Sequence, residues 1–515
     1  MRVLYSTCFA DPWIKVAQKL KEEYGYEPVY WIGLWDDNSG ALVSKTFSDC
    51  IYHKYFNAWK GIFPPQVAKH FNETYINIDF LKEYASFELQ AIKMMDRMDP
   101  DQESFSFMER QRHYRNMLKY CTACLIELKV DFVIFGVVPH QVFDYALYLM
   151  CRFHNINCVC LGNTQFIGRF LILKNISSIE IKIQEDYKKI LTSGKDAALL
   201  KSELSGDIIS YYNRIQQDYS EAKPEWERNH LIENKKSDGL FSLAKKFFIE
   251  LNNNRNRYFG EDGFPHILKQ KKKTTEESKI SIFQYSTYKL KTNRFKRQLK
   301  EYYHSLTIEP DYNSKYIFFA LHYQPEMTTC PSGDIFVDQR LCVEVLLKQT
   351  PSDYLIYVKE HQAQFYSHLE GHTSRAKYYY DDLLSNSRVR LLPLDSDPLK
   401  LVKNAQAVAT IMGTVGWEAM AIGIPVISFG LSWYEKYDGV LKITNEETAS
   451  KIEEFIANFK FDEKNLFAYL NAFCKNSSIS YAIKGIKEKV NIPESECIDR
   501  IIKLIQDSIH PDQAK

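Results

Sequence analysis

The chain has 515 residues, 45% of them hydrophobic and 25% charged, with a net charge of +1. That length exceeds one ordinary hydrophobic core and predicts roughly two to four domains. A charge balance this close to zero supplies no global field to draw the chain onto nucleic acid.

The opening MRVLYSTCFADPW breaks its short apolar run at Asp11, which reads as a first strand and not as a signal peptide. No window approaches the ~18 uncharged apolar residues that suggest a membrane-spanning helix. The eleven cysteines, an odd number, read as reduced thiols of a cytoplasmic protein. Cys121 and Cys124 form a lone CxxC inside a helical pattern. Without a second pair, core cysteines on one helix face are expected in place of zinc ligands.

The first half alternates. Arg2 to Tyr5 is a predicted strand, Pro12 to Tyr24 a helix and EPVYWI (27–32) a strand. The run VDFVIFGVVPH (130–140) is apolar, β-branched and stopped by Pro139; a helix over 143–154 and the strand INCVCLG (156–162) follow. Strand, helix, strand at this spacing predicts a parallel sheet covered on both faces. From Asp186 to Asn254 the chain reads as long and helical, with the amphipathic LFSLAKKFFIEL at 240–251, a packed helix or a partner or membrane-surface contact. KQKKKTTEESK (269–279) is a charge run without an apolar anchor, read as a solvated linker that could also lie against anionic lipid.

The second half restarts the alternation. KYIFFALHY, DYLIYVKEH, VRLLPL, AVATIMG and IPVISFG are predicted strands, with helices between them and a last helix over 494–508 that crosses back. The expected architecture is α/β, two Rossmann-like doubly wound units across a cleft. The expected divisions are 1–275, a connection over 276–313, 314–490 and the final helix over 491–515.

Ligands of such sheets sit beyond the carboxyl ends of the strands. There the chain places Gln324-Pro325-Glu326, Lys359-Glu360-His361, Pro393-Leu394-Asp395, Gly413-Thr414-Val415-Gly416 and Leu431-Ser432-Trp433-Tyr434. Gly413 to Gly416 open a helix, whose free N–H groups and dipole favour an anion; alternatively, Thr414 simply caps it. Glu418, placed in the first turn, could accept hydrogen bonds from two ribose hydroxyls. In an extended strand Lys359 and His361 share a face and Glu360 takes the other. Asp395-Ser396-Asp397 is the nearest spelling to a metal-binding triplet, and it precedes Pro398 as a helix cap would.

LHYQPEMTT, YVKEH, LLPLDSDP and GTVGWEAMAIGIPVISFG, in this order, resemble the capsule polysaccharide biosynthesis family of GT-B glycosyltransferases. Its members include transferases of 3-deoxy-manno-octulosonic acid (Kdo) and of nonulosonic acids. The motifs cover about 316–437; the first half matches loosely through VVPHQVFDYALY and GRFLIL. Many members carry His-Pro where this chain has His361-Gln362.

The resemblance implies a CMP donor carrying Kdo, pseudaminic or legionaminic acid. It implies a lipid-linked or oligomeric surface-glycan acceptor, at the cytoplasmic membrane face. A single donor phosphate suits one helix N-terminus with Lys359 and His361, and no cofactor or metal is expected. Glu326 is the expected nucleophile of a retaining double displacement, with Asp334 in reserve and His361 as a further catalytic group able to donate a proton. Gln324, Lys359, Pro393, Leu394, Gly413, Thr414, Gly416, Glu418 and Ser432 are expected at the donor. His140, Asp144 and Arg169 are expected at the acceptor. The alternatives are a UDP- or GDP-hexose transferase, a CDP-glycerol-type phosphotransferase and a non-catalytic polysaccharide assembly protein.

Overall fold

The computed structural model describes residues 1–9, 12–34, 37–99, 105–217, 282–483 and 485–509. The amphipathic segment at 240–251, the charge run at 269–279 and the expected boundary at 275 lie outside the described residues.

The first sheet contains β1 (Arg2–Ser6), β2 (Glu27–Gly33), β3 (Ile51–Lys54), β4 (Phe132–Phe135), β5 (Asn157–Asn163) and β6 (Arg169–Leu173). The second contains β7 (Tyr316–Ala320), β8 (Leu355–Lys359), β9 (Val389–Leu391), β10 (Ala407–Thr410), β11 (Val426–Ser428) and β12 (Val440–Lys442). A last strand, β13 (Ser477–Ile479), returns to the first sheet and pairs antiparallel with β6.

The first sheet runs β13-β6-β5-β4-β1-β2-β3, parallel from β3 to β5 and antiparallel beyond. The second runs β12-β11-β10-β7-β8-β9 and is wholly parallel. Counted from its own first strand, that order is 3-2-1-4-5-6, the doubly wound arrangement. Both units are Rossmann-like, and together they form the GT-B arrangement expected. The strands are apolar on both faces because helices cover both; every residue of FVIF in β4 is buried.

Helix α1 (Pro12–Tyr24) starts on a proline, whose missing N–H costs nothing there. Its buried Trp13, Val16, Ala17 and Leu20 form one stripe against the sheet. Helices α2 (Phe107–Glu127) and α3 (Val142–Phe153) cover the opposite face. Cys121 and Cys124 are both buried in that core without a disulfide, as expected for a packing role. Helices α4 (Ile181–Leu191) and α5 (Gly206–Gln217) extend the first unit toward the second. Then come α6 (Ile282–Leu306), α7 (Gln339–Gln349), α8 (Pro398–Asn404) and α9 (Thr414–Ala421) of the second unit. Helix α10 (Glu463–Lys475) packs on α4, and α11 (Glu494–Ile509) packs on α1. Lys19 of α1 meets Asp499 of α11 at 2.6 Å. The return to the first sheet thus begins at Ser477, earlier than the 491 read from sequence, because a three-residue strand rich in serine gives no periodic signal.

Two residues expected to meet an acceptor belong to this framework. Arg169 is buried at the start of β6, its guanidinium spread over Asp207, Ser205 and Ser477, each contact 2.8 Å. It ties β6, the start of α5 and the returning β13 together, and four of its five N–H donors are used in doing so. Asp144 is fully buried in the first turn of α3, where it accepts the Gln141 N–H at 2.7 Å as a helix cap. Its other oxygen has no hydrogen-bond partner among the described residues. Burial pushes its carboxyl up to about 7.

Arg169→Ala strips the counter-charge from Asp207 and unties β13. The expected loss is about 3 kcal/mol, read as a lowered denaturant midpoint. Asp144 supplies a second test. Its folded pKa lies above the ~3.9 of an unfolded aspartate, so its carboxyl stabilises the fold fully below that value. That contribution is lost as pH rises through about 7. Asp144→Asn should flatten the decline in melting temperature between pH 4 and 7, roughly the interval between those two pKa values.

Candidate active site

A cavity of about 390 Å³ lies between the two units. One wall is made by the carboxyl ends of β7, β8 and β10, and the other by the β5–β6 hairpin and its neighbours. The strand order reverses between β7 and β10, so the helices that follow these strands leave on opposite faces and open a crevice at their ends.

The exit of β7 gives His322, Tyr323, Glu326, Met327 and Thr328 to the wall. Glu326 stands at the mouth, open to solvent on one side. The Thr328 hydroxyl donates to its Oε2 at 2.9 Å. Surrounding protein raises its carboxyl above the usual range, while Thr328 and the charge of Arg97 draw it back. Asp334, the reserve candidate, does not line the cavity. It accepts from Gln90 of the first unit and holds a left-handed φ of 50°.

At the exit of β8, Lys359, His361 and Gln362 line the cavity. The Glu360 side chain turns the other way, as the period of two requires. It meets Arg375 at 2.7 Å, both side chains 0% exposed, and accepts from Tyr380 at 2.9 Å and from the His361 N–H at 2.8 Å. Arg375 also donates to Gln324 Oε1 at 2.7 Å and to the His322 carbonyl at 3.2 Å. One guanidinium therefore fixes the exits of both β7 and β8.

The Ala363 N–H donates to His361 Nδ1 at 3.2 Å, which places the proton of the neutral imidazole on Nε2. Burial, then the charges of Lys359 and Arg375, push the imidazole down to about 4. At neutral pH, with no anion bound, His361 is therefore a neutral imidazole that donates a hydrogen bond from Nε2.

The exit of β10 opens α9. Gly413 is the cap, with no side-chain hydrogen bond closing the helix start. Thr414 is thus the first helical residue and not the cap, and Thr414 and Val415 line the cavity. A Cβ on Gly413 would meet Thr410 Oγ1 at 2.8 Å and His322 Nε2 at 3.2 Å, so only glycine lets the loop rest on His322. His322 Nε2 in turn accepts the Met412 N–H at 3.3 Å. Burial holds that imidazole down at about 3. Glu418 is buried one turn along the helix, deeper than its expected place, and lines the cavity. From the exit of β11, Leu431 and Trp433 reach the wall.

Several expected donor contacts face elsewhere. Gln324 is buried, its carboxamide bonded to Val337, Gln339 and Arg375. The loop after β7 turns it into the protein. A Cβ on Gly416 would meet the Tyr434 hydroxyl at 2.3 Å; the residue makes room for that ring, which hydrogen-bonds the Gly413 carbonyl at 2.7 Å. Pro393 is off the wall, and Leu394 is buried in the core of the second unit, its carbonyl accepting from Gln362 at 3.1 Å. Pro398 lines the cavity instead. Ser432 is buried beside Ser428, their hydroxyls 3.2 Å apart. Asp397 caps α8 through the N–H groups of Leu399 and Lys400. His140 bonds the Val138 carbonyl at 2.7 Å, behind the wall; burial and the Arg97 charge hold it down at about 4.

Sequence reading passed over His322, Arg375 and the hairpin residues Asn163, Thr164 and Gln165. His322 lies within the LHYQP exit, and Asn163 directly follows INCVCLG, so the strand-exit rule could have found both. Arg375 carries no local signal, because the partners that tie it to the strand exits, Glu360, Gln324 and His322, are 15 to 53 residues away.

Comparison with known proteins gives a local resemblance. A family model described as capsule polysaccharide biosynthesis protein matches residues 329–482, less than a third of the chain. The capsule polysaccharide modification protein LipA of Neisseria meningitidis serogroup A is 38% identical over 56 residues, 11% of this chain and 8% of LipA. LipA of serogroup B gives the same figures. The chain therefore matches only a small part of the length of these curated relatives.

Among solved structures, the beta Kdo 2,4 transferase of Thermosulfurimonas dismutans KpsC overlaps with a TM-score of 0.28 at 11% identity, covering 66% of this chain and 79% of that one. The beta Kdo 2,7 transferase of the same KpsC gives 0.23 at 16%, covering 41% and 61%. A UDP-GlcNAc 2-epimerase of Methanocaldococcus jannaschii gives 0.23 at 13%, covering 90% and 95%. The architecture rests on the strand order and not on overlaps this low. Over 329–482, the stretch that holds Lys359, His361 and α9, the chain resembles capsule polysaccharide biosynthesis proteins, as its motifs lead one to expect.

Proposed function

We propose that the chain is a glycosyltransferase that moves a 2-keto acid sugar, Kdo or a nonulosonic acid, from a CMP donor to a surface-polysaccharide acceptor. The observation that carries this reading is one wall of one cavity. It joins a carboxylate (Glu326), a cation (Lys359), a neutral imidazole (His361) and a helix start without a side-chain cap (Thr414).

These groups suit loss of a nucleoside monophosphate. The α9 start and Lys359 face the donor phosphate, and His361 donates from Nε2 to the same group. Glu418 and the wall around Thr410 lie where a nucleoside would rest. The bond between the anomeric carbon and the phosphate oxygen breaks, and CMP leaves with the electron pair. The ionised Glu326 carboxylate attacks that carbon and forms a glycosyl ester. The acceptor hydroxyl then displaces Glu326 and gives its proton to the freed carboxylate. Two inversions leave the anomeric configuration retained. Neutralisation of a single phosphate by these residues needs no metal or other cofactor. The lipid-linked or oligomeric acceptor and the work place at the inner face of the cytoplasmic membrane belong to this proposal. Among the described residues no helix is long and apolar enough to cross a membrane.

Thermal stabilisation by CMP, UDP, GDP and CDP compares the donors directly. CMP is expected to raise the melting temperature; stabilisation by UDP or GDP without CMP would overturn the donor assignment. Glu326→Gln should retain CMP binding and lose transfer by at least about 100-fold. In the native protein kcat/KM should fall as pH drops through the raised Glu326 pKa, because the nucleophile must be ionised. Full transfer in Glu326→Gln would remove its role. Lys359→Ala should raise donor KM by roughly tenfold, about 1.4 kcal/mol of lost phosphate contact, with acceptor KM little changed.

A further inference from the structure

With His140, Asp144 and Arg169 committed elsewhere, the acceptor has no site among the residues expected for it. We infer that the acceptor subsite is the β5–β6 hairpin wall, and that it takes an uncharged sugar presenting a hydroxyl. This rests on the transferase reading above and adds the class of the second substrate.

The cavity is divided by charge. Every ionisable side chain on its wall belongs to the second unit. Among the described residues, the first unit contributes none. It offers an apolar surface from Val138, Leu171, Leu173 and Ile179, rimmed by the carboxamides of Asn163 and Gln165. Apolar side chains beside a few amides suit the C–H face and hydroxyls of a neutral pyranose. Asn163 ends β5 with its side chain exposed at the rim. Gln165 is fixed by the Trp433 indole N–H, which it accepts through Oε1. The Thr164 hydroxyl is used internally, donating to the Arg169 carbonyl at 3.0 Å.

On the first unit's wall an acidic acceptor would find no counter-charge among the described residues. The carboxylates of Glu326 and Glu418 face the same cavity, and Lys359 is taken by the donor phosphate. The imidazoles of His322 and His361 are neutral at physiological pH. Two guanidiniums stand off the wall and are committed, Arg375 to Glu360, Gln324 and the His322 carbonyl, and Arg97 to the His140 carbonyl at 2.6 Å and the Cys330 carbonyl at 2.8 Å. A second carboxylate brought beside Glu326 meets a like charge, and the Arg97 cation that acts on Glu326 is held off the wall by two backbone carbonyls.

The test uses the full chain with CMP-Kdo as donor and two acceptors, methyl β-galactopyranoside and the methyl glycoside of Kdo. CMP release and glycoside product are followed together. The neutral glycoside should give at least tenfold more product than the acidic one. Asn163→Ala should raise its KM at least fivefold while donor KM moves less than twofold. Saturation-transfer NMR in the presence of CMP reads acceptor binding without turnover and should detect the neutral glycoside alone. Equal or preferred use of the acidic glycoside, or an unchanged acceptor KM in Asn163→Ala, overturns the acceptor assignment and leaves the donor reading standing. Absence of CMP release under all conditions refutes the donor reading, and the acceptor assignment falls with it.

Discussion

The cleft depends on one packing event, the seating of Phe166 against a pair of touching tryptophans of the other unit. Phe166 lies in the β5–β6 connection, its ring 5.7 Å from Trp417 and 5.4 Å from Trp433. Trp433 also packs on Phe473 of α10 at 4.3 Å, and Tyr211 of α5 stacks on Trp417. All of these rings are buried. Burying one such side chain contributes on the order of 2 kcal/mol, and T-shaped pairs add about 1 kcal/mol each. A cluster of this size makes the two units one continuous core at the base of the cavity. It sets the distance between the donor wall and the hairpin wall, so the reactive geometry follows from apolar packing before any polar group takes part.

A second constraint works at finer scale within the donor wall. Arg375 and Glu360 form a fully buried ion pair, costly to desolvate and tolerable only because almost every polar atom has a partner. Its effect is positional. The backbone N–H of His361 is held by Glu360, and the carbonyl of His322 by Arg375. Two imidazoles from adjacent strand ends are thereby locked in place, and the positive charge behind them favours their neutral forms. The same logic explains Gly413, which the chain needs because His322 already fills the space a side chain would take.

Local geometry was legible in the sequence. The parallel strands, the strand exits and the split of Lys359 and His361 from Glu360 all follow from periodicities that operate over a few residues. Positions that failed share a different cause. Gln324, Leu394 and Ser432 follow strands as expected, but whether a residue in such a loop faces the cleft depends on how the loop turns, and here each turns inward. Gly416 serves Tyr434, and Thr414 is not the cap because Gly413 takes that place; neither fact has a sequence signature. Arg169 and Asp144 look like ligand residues by type. Their partners, Asp207 and Ser477 for one and a helix start for the other, are set by tertiary contact. The strands β3, β12 and β13 escaped because short strands at a sheet edge are defined by what they pair with; β6, apolar and interior, is legible only as part of the GRFLIL motif.

The return of β13 and α11 to the first sheet has a mechanical consequence. β1 and α11 belong to the same unit, so the second unit is an insertion between two parts of the first. The polypeptide crosses between the units twice. Two covalent connections restrain relative movement more than one, because any rotation must bend both together. The packing of α10 on α4 stands beside the second crossing. Any parting of the two units must also separate the aromatic cluster they share, so relative movement is tied to that core.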